Sequence, residues 1–275
     1  MRDDTHRVIS KRHGVLCVLT LNRPDKLNAF TPSMLRELDA ALDSAVADPA
    51  TRAIAITGAG AKAFTAGNDV ERLAVLDSVS AYRDMLAGQR IAMRLHECAK
   101  PTIAMVNGYA LGGGFELALA CDFVVAARTA SFGFPEITLN TLPGWGGTQL
   151  AVAKLGLARA KQMVLTGRRY GAEECMAFGF IQQLVEPERL LDAVLEFAET
   201  LAKHDGFAYE MAKRTLNRAN ELPLAAGFDF EAAQYAVNFG SETARNGLQQ
   251  FVARRTKART EIPVSSAHPT RRNPE

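Results

Sequence analysis

Two carboxylates and a run of glycines are the residues of this chain best placed to do chemistry. Gly112-Gly113-Gly114 precede Phe115-Glu116, and twenty positions on Glu136 stands in Phe134-Pro135-Glu136-Ile137. Consecutive glycines let a backbone approach a ligand closely and leave N–H groups unshielded by a Cβ. A helix beginning directly after them, with Phe115-Glu116, adds the positive end of its dipole. A carboxylate on each side of such a loop can move protons while the N–H groups hold a developing oxyanion. Each piece also has a plainer reading. The glycines suit a tight strand-to-helix turn, Glu116 complements the dipole of its apolar helix, and Glu136 suits the first turn after Pro135. Two more glycine-bearing stretches lie nearby in sequence. Pro143-Gly144-Trp145-Gly146-Gly147-Thr148-Gln149 reads as a loop capping a helix from near Thr148, and Ala66-Gly67-Asn68-Asp69 as a turn or a source of another exposed N–H.

The elements that must position these residues are legible as apolar runs and periodicities. Val15 to Leu21 reads as a strand ending at Asn22-Arg23-Pro24. Thr31-Pro32-Ser33 opens a helix in which Met34, Leu35, Leu38, Leu42 and Val46 recur at helical spacing. Arg52 to Thr57 predicts a second buried strand. Ala63 to Val70 reads as a loop, Ser80 to Cys98 as a long amphipathic helix, and Thr102 to Val106 as a third strand. After the glycines come a short helix, Phe115 to Ala120, and a strand, Phe123 to Ala126. The alternation predicts an α/β chain with a mostly parallel sheet covered by helices. From about Leu150 the pattern is nearly all helical.

Composition excludes several classes. The 275 residues are 48% hydrophobic and 23% charged, with net charge +2, so nothing demands a nucleic-acid or membrane partner. The four cysteines, Cys17, Cys98, Cys121 and Cys175, lack paired spacing, which argues for buried thiols over a disulfide framework or a metal site. Met1 to His6 carries no apolar stretch, and no run approaches the ~20 residues of a membrane span. A cytoplasmic protein is expected. No GxGxxG, GxxxxGK[ST], GxSxG or HExxH motif occurs, and the five histidines are scattered.

Taken in order, the motifs resemble those of the enoyl-CoA hydratase/isomerase (crotonase) superfamily. The resemblance runs from about Val15 to Lys257. It rests on Leu21-Asn22-Arg23-Pro24 with Leu27-Asn28-Ala29, on Phe64 to Asp69, on Lys100-Pro101, and on Val106 to Gly114. Cys121-Asp122, Phe132 to Glu136, Leu142-Pro143-Gly144, Gly146 to Gln149 and Leu165-Thr166-Gly167 complete it. The resemblance implies a crotonase-like (ClpP/crotonase) spiral of repeated ββα units. It implies a core over residues 1–200, a helical C-terminal region over 201–260 that mediates trimerisation and covers the active site, and a disordered tail over 261–275. A homotrimer, or a hexamer built as a dimer of trimers, is implied, with no cofactor beyond the coenzyme A of an acyl-CoA substrate.

Carried over residue by residue, the resemblance makes Glu116 and Glu136 the catalytic carboxylates that hold one water between them. It places the oxyanion hole on the N–H groups of Ala66 and Gly113, and water positioning on Gly144. Coenzyme A would lie along Lys26, Leu27 and Asn28 and along Ala63 to Asp69, including Ala66, Gly67 and Asn68, with Phe251 and Lys257 at its adenine and phosphate end. Trp145 and Leu73 are candidates for the acyl pocket. For Trp145 two roles stand open, a packing residue of its loop or a wall of that pocket. The sequence departs from the family in having Asn140 where Gly is common, Trp145 where Ala is common, and Leu150 after Gly-Gly-Thr-Gln where Arg is common. Retention of both carboxylates favours hydration of a 2-enoyl-CoA, a hydro-lyase reaction of fatty-acid or related acyl-CoA breakdown. Double-bond isomerisation, decarboxylation and thioester hydrolysis are the alternatives. A non-catalytic, RNA-associating role through Lys203, Lys213, Arg214 and Arg218 is a further one.

Overall fold

The computed structural model describes residues 7–260. The chain opens with a hairpin, Val8–His13 (β1) against Leu16–Leu21 (β2), turning at Gly14. Pro32–Ala47 (α1) follows. The Thr31 hydroxyl caps it by accepting the Met34 N–H at 3.3 Å, and Pro32 occupies the first turn. Met34, Leu35, Leu38 and Leu42 form its buried stripe, as their spacing predicts.

Three strand–strand–helix units follow. Ala53–Gly58 (β3) and Ala63–Thr65 (β4) lead to Val70–Leu73 (α2) and Ser78–His96 (α3). Thr102–Val106 (β5) and Tyr109–Leu111 (β6) lead to Gly113–Ala120 (α4). Phe123–Ala127 (β7) and Ser131–Gly133 (β8) lead through a 3-10 turn, Pro135–Leu139, to Gly147–Leu155 (α5) and Leu157–Thr166 (α6). Tyr170–Gly171 (β9), Ala172–Ala177 (α7) and Gln183–Val185 (β10) close the sheets. In each unit the two strands go to different sheets. Among the described residues the order is β1-β2-β3-β5-β7-β10 in a six-stranded sheet and β4-β6-β8-β9 in a four-stranded one. Apart from β1 in the large sheet and β9 in the small one, the pairings are parallel. This is the repeated ββα plan that the resemblance implies. The Asn107 side chain ties neighbouring units together, donating to the carbonyls of Gly58 at 2.9 Å and Gly60 at 2.7 Å.

The inner strands of the large sheet, β2, β3, β5 and β7, are buried on both faces, which is why they read as continuous apolar runs. Cys17, Leu19, Ile54 and Ile56 point into the main core with α1, α3 and α4. Leu16, Val18, Ala53 and Ala55 point the other way, against Leu190 and Val194 of Leu190–Ala202 (α8). Gly206–Asn217 (α9) docks on this body through Lys213, whose Nζ donates to Asp122 Oδ2 at 2.8 Å and to the Leu95 carbonyl at 3.0 Å. Leu224–Phe239 (α10) and Glu242–Thr260 (α11) follow and leave Phe228, Tyr235, Phe251 and Val252 largely exposed. No described helix is long and apolar enough to cross a membrane.

Several local expectations need correction. The first six residues of regular structure, β1, carry a mostly exposed, polar pattern and gave no apolar signal. β4, β6 and β8 are three residues each, too short to show alternation. β4 occupies part of the stretch read as a loop, and β9 and β10 interrupt the stretch read as nearly all helical. The helix carrying Glu116 begins at Gly113, not Phe115, so two of the three glycines belong to it. Lys213 is buried and ion-paired, and Arg218 faces Glu97 and Glu221, so these two do not form a free basic face. The four cysteines are free and buried, as expected. The tail at 261–275 lies outside the described residues.

Candidate active site

Glu116 stands in the first turn of α4 and is 1% exposed. Its Oε1 accepts the backbone N–H groups of Trp145 and Gly147, each at 2.7 Å. Gly147 opens α5, so the carboxylate also faces a helix N-terminus. These donors favour the charged form, but burial outweighs them and holds the Glu116 carboxyl above its ordinary value.

Glu136 sits in the 3-10 turn after β8. Its Oε2 is buried without a hydrogen-bond partner. Its Oε1 lies 2.8 Å from where a Cβ on Gly112 would stand. Gly112 has φ +51°, so both its backbone and its neighbour require a residue without a side chain. Burial, with a smaller contribution from Glu116, pushes the Glu136 carboxyl up to about 7. The turn closes on Asn140, at φ +57°. Asparagine tolerates this left-handed conformation better than most residues, which accounts for its place at the end of the turn.

Two segments bring N–H groups beside this pair. Gly113 is the first residue of α4, and its N–H has no acceptor among the described residues. The second donor is not where it was expected. The Ala66 N–H is donated to the Leu27 carbonyl at 3.0 Å. Phe30 N–H donates to the Gly67 carbonyl at 2.8 Å, and Asp69 N–H to the Phe30 carbonyl at 3.2 Å. A strand alternates the direction of its N–H groups, so these bonds turn the Asn68 N–H to the side away from Phe30. Among the described residues it has no acceptor. Gly67 packs directly on Gly113, since a Cβ on Gly67 would lie 2.9 Å from Gly113 N. The open donor of this segment is therefore Asn68, two residues beyond Ala66.

The structure brings the segment 26–28 alongside 63–69. Leu27 and Asn28 both take positive φ, 51° and 56°. Asn28 is fully buried, accepts the Arg23 N–H at 3.0 Å and donates to the carbonyls of Ala59 and Ala63 at 3.0 and 2.9 Å. Arg23 in turn pairs with Asp69 at 2.7 Å, and its hydrogen bond holds the Asp69 carboxyl below the usual range. Lys26 is exposed and pairs with Glu71 at 3.3 Å. In sequence Arg23 and Asn107 stand only within motifs and Asn28 along the expected coenzyme A path; the structure makes all three braces between neighbouring segments. The signal for Asn28 was its place in Leu27-Asn28-Ala29, where a buried asparagine can serve three backbone groups at once. Phe251 is not gathered with these residues. It lies on α11, whose main packing partner is α10, and Lys257 lies on the same helix.

Leu73 ends α2 and is half-buried. Trp145 is 1% exposed, with its ring 4.9 Å from that of Phe30. The Gly144 carbonyl accepts Gln89 Nε2 at 2.8 Å.

Comparison with known proteins gives the family of the chain. Residues 11–260 match the family described as enoyl-CoA hydratase/isomerase. The chain belongs to that family. A Rhizobium meliloti protein named "Probable enoyl-CoA hydratase" is 43% identical over 90% of this chain and 95% of its own length. A Clostridium acetobutylicum protein named short-chain-enoyl-CoA hydratase is 32% identical over 92% and 97%. The crystal structure of an enoyl-CoA hydratase from Bacillus anthracis superposes with a TM-score of 0.85 at 32% identity, covering 90% of this chain and 97% of that one. Family membership thus covers both the strand–strand–helix core and the C-terminal helices.

Proposed function

We propose that this protein hydrates a 2-enoyl-CoA to the 3-hydroxyacyl-CoA. The observation that carries the reading is the pairing of Glu116 and Glu136 in different surroundings beside open N–H groups. Glu116 has one oxygen held by two N–H donors, which suits a carboxylate base in fixed orientation. Glu136 has an unpartnered oxygen and a carboxyl raised to about 7, which suits an acid that still holds its proton near neutrality.

In this scheme the thioester oxygen accepts the N–H groups of Gly113 and Asn68. Glu116 takes a proton from a water as its oxygen bonds to C3. Electrons of the double bond move toward the thioester oxygen, where the N–H groups stabilise the enolate-like charge. One such donor is worth roughly 10²–10³ in rate. Glu136 then delivers its proton to C2, and the carbonyl re-forms. The scheme calls on no cofactor, because coenzyme A enters with the substrate. Its carrier would run along 26–28 and 63–69 through backbone groups, with Phe251 and Lys257 supplied by a neighbouring subunit. The exposed apolar side chains of α10 and α11 support a trimer or a dimer of trimers. Light scattering that finds only a monomer with full activity would remove that part.

The deciding assay follows loss of the conjugated-thioester absorbance of crotonyl-CoA. Rapid loss that is abolished in Glu136→Gln establishes hydration. Absence of loss, together with conversion of a 3-enoyl-CoA to its 2-enoyl isomer, would make the protein an isomerase that uses Glu136 to carry a proton between carbons.

A further inference from the structure

The loop that orients Glu116 also carries the largest side chain of the site, and α3 is shaped around it. The Trp145 indole lies flat on Gly88, where a Cβ would fall 2.1 Å from the ring carbons. No side chain larger than hydrogen is compatible with the ring in this place. One turn away on the same helix, Met85 covers Gly144 so closely that a Cβ there would stand 2.1 Å from the sulfur. Gln89 closes the contact through its hydrogen bond to the Gly144 carbonyl. On its other side the indole reaches the glycine that offers the open N–H, its Cε3 lying 3.4 Å from the Cβ position of Gly113. The indole N–H has no hydrogen-bond partner among the described residues. Packing alone seats the ring, so its contribution here is volume.

We propose that Trp145, seated on Gly88, is a stop that confines the acyl group to short chains of the crotonyl class and excludes those of the decenoyl class. The inference deepens the hydration reading and rests on it for the placement of the thioester. With that oxygen on Gly113 and C2–C3 between the two glutamates, the carbons beyond C3 meet the ring that bridges Gly113 and α3. A longer chain finds this space occupied, and Gly88 marks the room that opens when the indole is removed.

The test measures binding and turnover separately. Calorimetry with the saturated, unreactive butyryl-CoA and decanoyl-CoA is run on the wild type, Trp145→Ala and Trp145→Phe. Hydration of crotonyl-CoA and 2-decenoyl-CoA is followed alongside. The wild type is expected to bind butyryl-CoA and to gain nothing from the longer chain. Trp145→Ala is expected to raise decanoyl-CoA affinity by about fourfold for each methylene it admits, and to shift the kcat/KM ratio of the two enoyl substrates the same way. A wild type that takes both chain lengths equally overturns the proposal, as does a folded Trp145→Ala with an unchanged ratio. If Trp145→Ala does not fold, Trp145→Phe decides. A partial shift supports the stop and an unchanged ratio removes it. A binding ratio that switches with Trp145 while no thioester is hydrated refutes hydration and keeps the stop. Equal hydration of both chain lengths refutes the stop and keeps hydration.

Discussion

The backbone N–H of Trp145 donates to Glu116 Oε1 over 2.7 Å. One residue therefore orients a buried carboxylate with its main chain and fills the neighbouring space with its side chain. Substitutions of the indole leave that N–H in place, and substitutions of the carboxylate leave the indole in place, so the two roles are separable.

Replacing Glu116 by Gln keeps an acceptor oxygen for the two N–H groups and removes the base. Hydration is expected to fall by about 10²–10⁴, and Glu136→Gln to have an effect of the same order. Acyl-CoA binding should survive in both, because neither change removes the N–H groups proposed for the thioester. Steady-state kinetics with calorimetry checks this. An active Glu116→Gln/Glu136→Gln double variant would end the two-carboxylate mechanism.

Glu136 also makes stability depend on pH. Its carboxyl is raised from 4.5 to about 7, so the native state binds this proton more tightly than the unfolded chain does. The contribution is complete below the unfolded value and is lost as pH rises through the folded one, costing up to roughly 3 kcal/mol by the alkaline end. Urea denaturation across that window should show stability declining with pH in the wild type and a flatter profile in Glu136→Gln. The same titration should lower kcat/KM above about pH 7 as the acid is lost. A profile unchanged by the substitution would show that Glu136 is not the group responsible.

Gly112 and Gly156 separate backbone strain from damage to the site. Both have positive φ, at 51° and 78°. A Cβ on Gly112 meets Glu136 Oε1 at 2.8 Å, whereas one on Gly156 meets nothing within 4 Å. Alanine at either position should cost about 1–3 kcal/mol of stability. Only Gly112→Ala should also reduce turnover, by at least about tenfold, because it displaces a carboxylate that must stand within hydrogen-bond reach of its target. Equal kinetics for the two folded variants would contradict the placement of Glu136.

Arg23 and Asp69 form a largely buried ion pair at 2.7 Å that holds the segment carrying Asn68. Arg23→Ala leaves Asp69 unpaired and should destabilise the protein by about 2–4 kcal/mol. Arg23→Ala/Asp69→Asn should recover part of that loss, since the stranded charge is gone. Thermal unfolding of the two single variants and the double variant gives the coupling. Strict additivity would mean the pair contributes nothing to the loop.

Much of this was legible in the chain itself. α1, β3, α3 and β5 announced themselves because apolar side chains recur at fixed spacing over five residues or more. Glu116, Glu136 and Gly113 stood out because a carboxylate in an apolar helix and adjacent glycines are costly unless something uses them. The motifs in order carried the family. Strands of three residues, β4, β6 and β8, hold no period to read, and β1 shows a polar face. Division of each strand pair between two sheets follows from long-range pairing, which no local window contains.

The sequence by itself determined the inventory of the site: two carboxylates, the glycines that let the backbone close on them, and a tryptophan nearby. Only the tertiary structure decided how that inventory is used. The Ala66 N–H pairs with Leu27, leaving Asn68 as the open donor of that segment. Burial, not sequence neighbourhood, raises Glu136. The Trp145 indole finds its seat on Gly88, fifty-seven positions earlier in the chain. Hydrogen-bond direction, desolvation and close packing all depend on which distant segments meet, and that is settled only when the chain has folded.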